Sequence, residues 1–185
     1  MSAGAGNPLT SRAQSHFELF GLSPAFALDT EALERAYREI QTRVHPDRYA
    51  HAGDAERRAS LQWTTRVNEA YRALKDPVQR GKHLLELNGV DVQFETNTQM
   101  AGGFLMQQLE LREELEAAAA KKDVAGLDRL RDGLRREKAA LEKQVGDSID
   151  AKKDYAGAAR LVRELMFLDR LEAEIDAAYE AAESA

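Results

Sequence analysis

Asp29-Thr30-Glu31-Ala32-Leu33-Glu34-Arg35-Ala36-Tyr37-Arg38-Glu39-Ile40-Gln41-Thr42-Arg43-Val44-His45-Pro46-Asp47 decides the fold of the first half of this 185-residue chain. Leu33, Ala36, Tyr37, Ile40 and Val44 recur at helical spacing and predict one buried stripe. Asp29 or Thr30 is placed to cap this helix, and Glu31 suits its first turn. Arg35, Arg38 and Arg43 stand off the stripe. Pro46 has no amide hydrogen and steers His45 away from helical dihedrals, so the helix must stop near Val44. His45-Pro46-Asp47 is therefore expected in a short loop, with the Asp47 carboxylate close to the arginine-rich helix end.

Downstream, Asp54 is expected to cap a helix whose stripe is Trp63, Val67, Ala70, Tyr71 and Leu74. Asp76-Pro77 ends it and opens another, because proline is well tolerated at a first helical position. Two antiparallel helices across a tight loop, bracketed by shorter ones, are the minimum that buries both stripes. After Leu84-Leu85-Glu86-Leu87 the pattern breaks at Asn88-Gly89. Residues 89–97 predict a linker, pinned to one domain by Val90, Val92 and Phe94. Beyond it, Leu127, Leu130, Leu134, Leu141, Val145 and Ile149 form one stripe, and Leu161, Leu165, Leu168, Leu171, Ile175 and Ala178 another. Each needs a partner to cover it. With helix starts at Asp123 and Asp154, a three-helix bundle follows. The expected architecture is all-α: a disordered lead-in over 1–15, a helical domain over 16–88, the linker, and the bundle over 98–185.

Composition narrows the function. Charged residues make up 31% of the chain and only 4 are proline, so long unbroken helices form easily. The lack of cysteine rules out disulfides and thiolate metal sites and fits a reducing compartment. His16, His45, His51 and His83 are scattered and show no ligand cluster. A formal charge of −6 argues against general nucleic-acid binding. No stretch is long and apolar enough to span a membrane, and residues 1–15 are too weakly charged for a transit peptide. No Gly-rich phosphate loop is present, so any ATP involved belongs to a partner. No cofactor is expected.

Phe104-Leu105-Met106-Gln107-Gln108-Leu109-Glu110-Leu111-Arg112-Glu113-Glu114-Leu115 carries a second clue. At about 100° per residue, Phe104, Leu111, Leu115 and Ala118 share a face suited to a bundle core. Leu105, Met106 and Leu109 fall on another, centred roughly 150° away, beside Arg112 and Glu113. A helix in a three-helix bundle buries one broad stripe, so these surplus side chains are expected to be exposed or covered from outside. Three occupants stand open: the N-terminal domain, a second copy of the bundle, or a binding partner. Methionine suits adaptable binding surfaces, and charges at the edge would orient a partner.

Tyr37, His45-Pro46-Asp47-Arg48, Asn68-Glu69-Ala70-Tyr71, Leu74, Asp76-Pro77 and Arg80 together resemble a J-domain, over residues 16 to about 88. In that family the loop and the helix before it dock on a DnaK-type chaperone and stimulate its ATP hydrolysis. The resemblance implies that His45, Pro46 and Asp47 are the trigger and that Arg35, Arg38, Arg43 and Arg48 are steering charges. Glu34 and Glu39 interrupt what is usually a more uniformly basic helix, which points to a specialised chaperone rather than a generalist. Taken alone, the arginines would be the solvated face usual for helical charges, and His45 an ordinary loop residue. A catalytic pairing of His45 with Asp47 lacks a nucleophile and a third orienting group.

The segments Phe104–Leu115 and Arg163-Glu164-Leu165-Met166-Phe167-Leu168-Asp169-Arg170-Leu171 are similar to the HscB family, the J-proteins of iron–sulfur cluster assembly. With the J-domain, the similarity runs from His16 to the last helix. It implies a co-chaperone, not an enzyme, whose bundle holds the scaffold protein IscU. The J-domain would deliver IscU to the DnaK-type chaperone HscA and stimulate its ATPase. Matched by position, the scaffold patch would be Leu105, Met106, Leu109, Glu110, Arg112 and Glu113, with Phe167 beside it. Phe167 sits at the margin of its own stripe, so patch and core both remain open for it. Mitochondrial relatives carry a cysteine-bearing extension, so the absence of cysteine points to a bacterial, cytoplasmic member. The chain is expected to be a monomer that binds neither nucleic acid nor membrane. It would hold no cluster itself, for want of thiolates. The alternatives are a J-protein serving another client, and a helical dimeric adaptor in which the His-Pro-Asp tripeptide is incidental.

Overall fold

The computed structural model describes residues 15–49, 51–92 and 102–183, the side chains of Pro46, Leu105 and Glu183 excepted. Its helices are α1 (His16–Leu19), α2 (Thr30–Val44), α3 (Asp54–Lys75), α4 (Pro77–Leu87), α5 (Gly102–Ala120), α6 (Val124–Gly146) and α7 (Tyr155–Glu183). A 3-10 turn, Pro46–Tyr49, follows α2, and one π-helical turn, Asp147–Ala151, follows α6. No strand occurs among the described residues, so the all-α expectation holds. Of the expected lead-in only Ser15 is described, and Phe94 lies outside the described residues with the rest of the segment between Val92 and Gly102. Contacts divide the chain into two compact units, the first ending at Arg80 and the second beginning at Gly81, within α4.

The first unit is built on α2 against α3. Asp29 caps α2, its Oδ1 accepting the Ala32 amide at 2.9 Å. Leu33 and Val44 are buried, as are Trp63, Val67, Ala70 and Leu74 of α3, while Ala36, Tyr37, Ile40 and Tyr71 are only half-buried. The α2 stripe is thus less deeply buried than its periodicity suggests, since a helix is fully covered only where a neighbour lies against it. Tyr37 and Tyr71 stack face to face, ring centroids 4.1 Å apart, and the Tyr37 hydroxyl donates to Asn68 Oδ1 at 2.9 Å. Asp54 is not the cap of α3. Gly53 holds that position without a side-chain bond, and Asp54 instead pairs with Arg57 at 2.5 Å, inside the first turn. Asp76 ends α3 and starts α4, its Oδ1 accepting the Gln79 amide at 2.8 Å just before Pro77. Arg80 is buried, reaching back to the Leu74 carbonyl (2.6 Å) and lying 4.8 Å from the Phe26 ring centroid.

In the second unit, Phe104, Leu115 and Ala118 of α5 face Leu127, Leu134, Leu141 and Val145 of α6 and Val162, Leu165, Leu168, Leu171 and Ile175 of α7, all buried. Ile149 is buried too, but in the π-helical turn rather than in α6 itself. Val92 is buried and its carbonyl accepts from the buried Arg163 of α7 at 3.0 Å. That bond ties the chain leaving α4 to the last helix, inside this unit.

Both bundle turns are made by one motif. Lys121-Lys122-Asp123-Val124-Ala125-Gly126 recurs as Lys152-Lys153-Asp154-Tyr155-Ala156-Gly157. In each, the second lysine is left-handed (φ +50° and +55°), and the aspartate accepts the amide of the glycine three residues on, at 2.9 Å. A β-carbon at either glycine would collide with that carboxylate. Lysine in the left-handed region is strained where glycine is not. Lys122→Gly and Lys153→Gly should each raise stability by about 0.5–1 kcal/mol. Urea midpoints of the two variants check this, and a lower midpoint for both would contradict it.

Candidate functional site

Two exposed features were anticipated, one in each unit. The first is the turn after α2. Its residues are held by their own neighbourhood: the Arg48 amide donates to the His45 carbonyl at 3.1 Å, and the Asp47 amide to His45 Nδ1 at 3.3 Å. Asp47 Oδ2 lies 3.5 Å from the same imidazole nitrogen, and the Asp47 side chain is 90% exposed. The turn does stand at the arginine-bearing end of α2, yet among the described residues no arginine is paired with this carboxylate. Arg43 is ion-paired with Glu39, and Arg48 Nη1 donates to the Thr42 carbonyl at 3.3 Å.

The pairing extends along α2. Arg35 lies 3.6 Å from Glu31 and Arg38 lies 3.3 Å from Glu34, each arginine reaching the glutamate four residues before it. Glutamate placed N-terminal to its cation is the favourable order for such pairs. The three arginines are therefore matched by three glutamates, and the outer face of α2 alternates in sign rather than forming one positive field.

The last carbonyls of a helix have no partner within it. At the end of α2 they are taken up by the turn and by α3. The Thr42 carbonyl receives Arg48, and the Arg43 carbonyl receives the Tyr49 hydroxyl at 3.4 Å. The Val44 carbonyl, directly before His45, receives Ser60 Oγ at 2.7 Å and lies 3.2 Å from Thr64 Oγ1. Sequence reading passed over both hydroxyls. The available signal was Ser60 itself, a polar residue at the apolar spacing of Trp63 and Val67.

The second feature is α5. Met106 is 60% and Leu109 54% exposed, and Glu110, Arg112 and Glu113 are exposed beside them. The side chain of Leu105 lies outside the described ones. Polar ties fix which way this helix faces. Gln107 donates to Glu137 of α6 at 3.0 Å, and Arg112 meets Glu174 of α7 at 3.3 Å. Burial pushes the Glu137 carboxyl up, an effect partly offset by the Gln107 bond. Phe167 of α7 packs edge-on against the buried Phe104, centroids 6.0 Å apart, while the Arg112 guanidinium lies 5.2 Å from its ring centre. It is half-buried, with one side in the core and the other roofed by a residue of the expected patch. Between α6 and α7, Lys138 binds Asp169 and Glu172, each at 2.5 Å. Burial lowers the basicity of that ammonium, but the two carboxylates outweigh it and raise its pKa.

Among the described residues no group of three metal-ligating side chains converges, and no helix is long and apolar enough to cross a membrane.

Residues 100–176 match the family model of the HSCB C-terminal oligomerisation domain. The chain is 52% identical over 172 residues to the co-chaperone protein HscB homolog of Burkholderia thailandensis, covering 93% of this chain and 98% of that one. Among solved structures it is similar to chaperone HscB from Vibrio cholerae (34% identity, TM-score 0.79, 91% and 99% of the two chains). Human co-chaperone protein HscB shares the fold at 24% identity, with a TM-score of 0.85 over 90% of this chain and 83% of that one. A J-domain followed by a C-terminal helical bundle, with identity at this level across almost the whole length, places the chain in the HscB co-chaperone family.

Proposed function

We propose that this protein binds the iron–sulfur scaffold protein IscU on α5 of its bundle and delivers it to the DnaK-type chaperone HscA, whose ATPase it stimulates through His45-Pro46-Asp47. The observation that carries this is the uncovered pair Met106 and Leu109 on a helix otherwise tied down on both flanks. Exposed apolar side chains in the first half of a helix, rimmed by Glu110, Arg112 and Glu113, suit a partner that supplies apolar cover and complementary charge. The exposed Asp47 is free to bond a second protein. Holding client and chaperone on one chain raises their effective concentration, which couples client binding to hydrolysis. In this reading the protein is not itself an enzyme, works in the cytoplasm, and is a monomer. Arg35, Arg38, Arg43 and Arg48 steer the chaperone, and Phe167 supports the patch from below.

The ion-paired face of α2 supports a dedicated chaperone. A partner with a uniformly acidic groove would meet Glu34 and Glu39 as well as the arginines, and like charges discriminate against it. Glu34→Gln with Glu39→Gln should raise stimulation of a generalist DnaK-type chaperone about tenfold at low salt, with the gain shrinking as salt screens it. ATPase assays at two ionic strengths read this. No gain with the generalist would remove the argument for charge-based selectivity.

The deciding experiment is an HscA ATPase assay with and without IscU, paired with a pull-down of IscU. The expected result is stimulation by this chain, further stimulation when IscU is added, and retention of IscU. Stimulation without retention would point to another client. A second copy of the chain is the competing occupant of the α5 face, favoured by the same exposure and by the oligomerisation in the description of the matched family. Sedimentation at rising concentration separates the two, since a concentration-independent monomer excludes self-association.

A further inference from the structure

The end of α2 from which the His45-Pro46-Asp47 turn departs is tied to α3 at the Val44 carbonyl oxygen. Ser60 is 2% exposed and donates to it at 2.7 Å. Thr64, one helical turn along, lies 3.2 Å from the same oxygen and 2.9 Å from the Ser60 carbonyl. A hydroxyl has a single proton, so Thr64 can serve only one of these acceptors at a time. Ser60 is thus the principal donor and Thr64 the reserve. The plane of the Val44–His45 peptide follows from this bond, because a carbonyl oxygen held from one side cannot rotate without losing it. His45 continues from that plane with φ −56° and ψ 130°, and the 3-10 turn bearing Asp47 starts there. The side-chain bonds that Arg48 and Tyr49 of the turn make back to α2 are longer, at 3.3 and 3.4 Å, and come from exposed or half-exposed side chains.

We propose that Ser60, backed by Thr64, is a positioning residue for chaperone stimulation: its hydroxyl aims the His45-Pro46-Asp47 turn by gripping the last carbonyl of α2. The functional half of this rests on the proposed stimulation of a DnaK-type ATPase, and the geometric half does not. Proline restricts the backbone at His45 and Pro46, yet it leaves the direction in which the turn leaves α2 to whatever binds Val44. A donor on α3 makes that direction a property of the packed helix pair. Asp47 then meets its partner already oriented, which spares the cost of ordering an exposed turn on binding.

The test uses the full chain in four forms: wild type, Ser60→Ala, Ser60→Ala with Thr64→Val, and Ser60→Ala with Thr64→Ser. Amide hydrogen exchange of Arg48, whose N–H is bonded to the His45 carbonyl, reports the turn without any chaperone. Exchange at Arg48 should quicken about tenfold when both hydroxyls are gone, the factor expected for one lost buried hydrogen bond. The Thr64→Ser form should stay near Ser60→Ala alone. Maximal ATPase stimulation, corrected for the folded fraction, should fall by about the same factor in the hydroxyl-free form and be restored by serine at 64. IscU retention should not change. Unaltered Arg48 exchange in the hydroxyl-free form overturns the proposal. So does stimulation that tracks only the folded fraction. If that form does not fold, Ser60→Ala alone carries the exchange test, with a smaller expected rise and the same overturning result. Wild type that stimulates no chaperone, with exchange behaving as described, would instead sink the functional reading and leave the positioning role standing.

Discussion

Asp47→Asn should remove chaperone stimulation while leaving the fold and IscU retention as they are. The side chain is 90% exposed, and among the described residues its carboxylate meets only His45 Nδ1, 3.5 Å away. Substitutions at such surface positions usually change stability by no more than about 0.5 kcal/mol. Asparagine keeps the shape and one acceptor oxygen but loses the charge. Truncating one member of a charged pair that is buried on binding costs about 2–5 kcal/mol, so a loss of roughly thirtyfold or more is expected. The measurement is HscA turnover over a range of co-chaperone concentrations, with a thermal melt alongside. Full stimulation by the variant would detach the turn from the ATPase. A large fall in melting temperature would show that Asp47 carries structural load that its exposure does not indicate.

The mirror-image variant, Leu105→Ala with Met106→Ala and Leu109→Ala, should abolish IscU binding and spare stimulation by the turn. Met106 and Leu109 are more than half exposed, so their truncation removes little from the bundle core. Apolar anchors at an interface centre contribute about 1–2 kcal/mol each, and three together amount to roughly 3–6 kcal/mol, subject to coupling between neighbours. That weakens a complex by about two to four powers of ten. Titration calorimetry against IscU reads the affinity, and circular dichroism the fold. Unchanged affinity would move the client elsewhere. Loss of both activities in a folded protein would mean that the two roles are not separable by residue.

Much of this was legible in the residues alone. Proline at position 46 forces α2 to stop, and apolar spacing shows which side of α2 and α3 must be covered. The overpopulated wheel of α5 announced exposed side chains, and Met106 and Leu109 are exposed. Such inferences succeed because they depend on local rules, dihedral restriction and helical period, that hold wherever the segment lies. The misplaced cap at Asp54 is a failure of the same kind of rule by one position. Gly53 and Asp54 are both acceptable starts, and here the aspartate carboxylate is engaged by Arg57.

Partner choice at long range was not legible. Nothing in the neighbourhood of Ser60 says that its hydroxyl meets a carbonyl sixteen residues earlier, or that Phe167 lies between Phe104 and Arg112. The chain alone determined its helices, the site of its sharpest bend and the excess of apolar surface on α5. Only the folded molecule decided which atoms hold the bend, because hydrogen bonds between helices depend on distances of a few ångströms that are set when separate helices pack together.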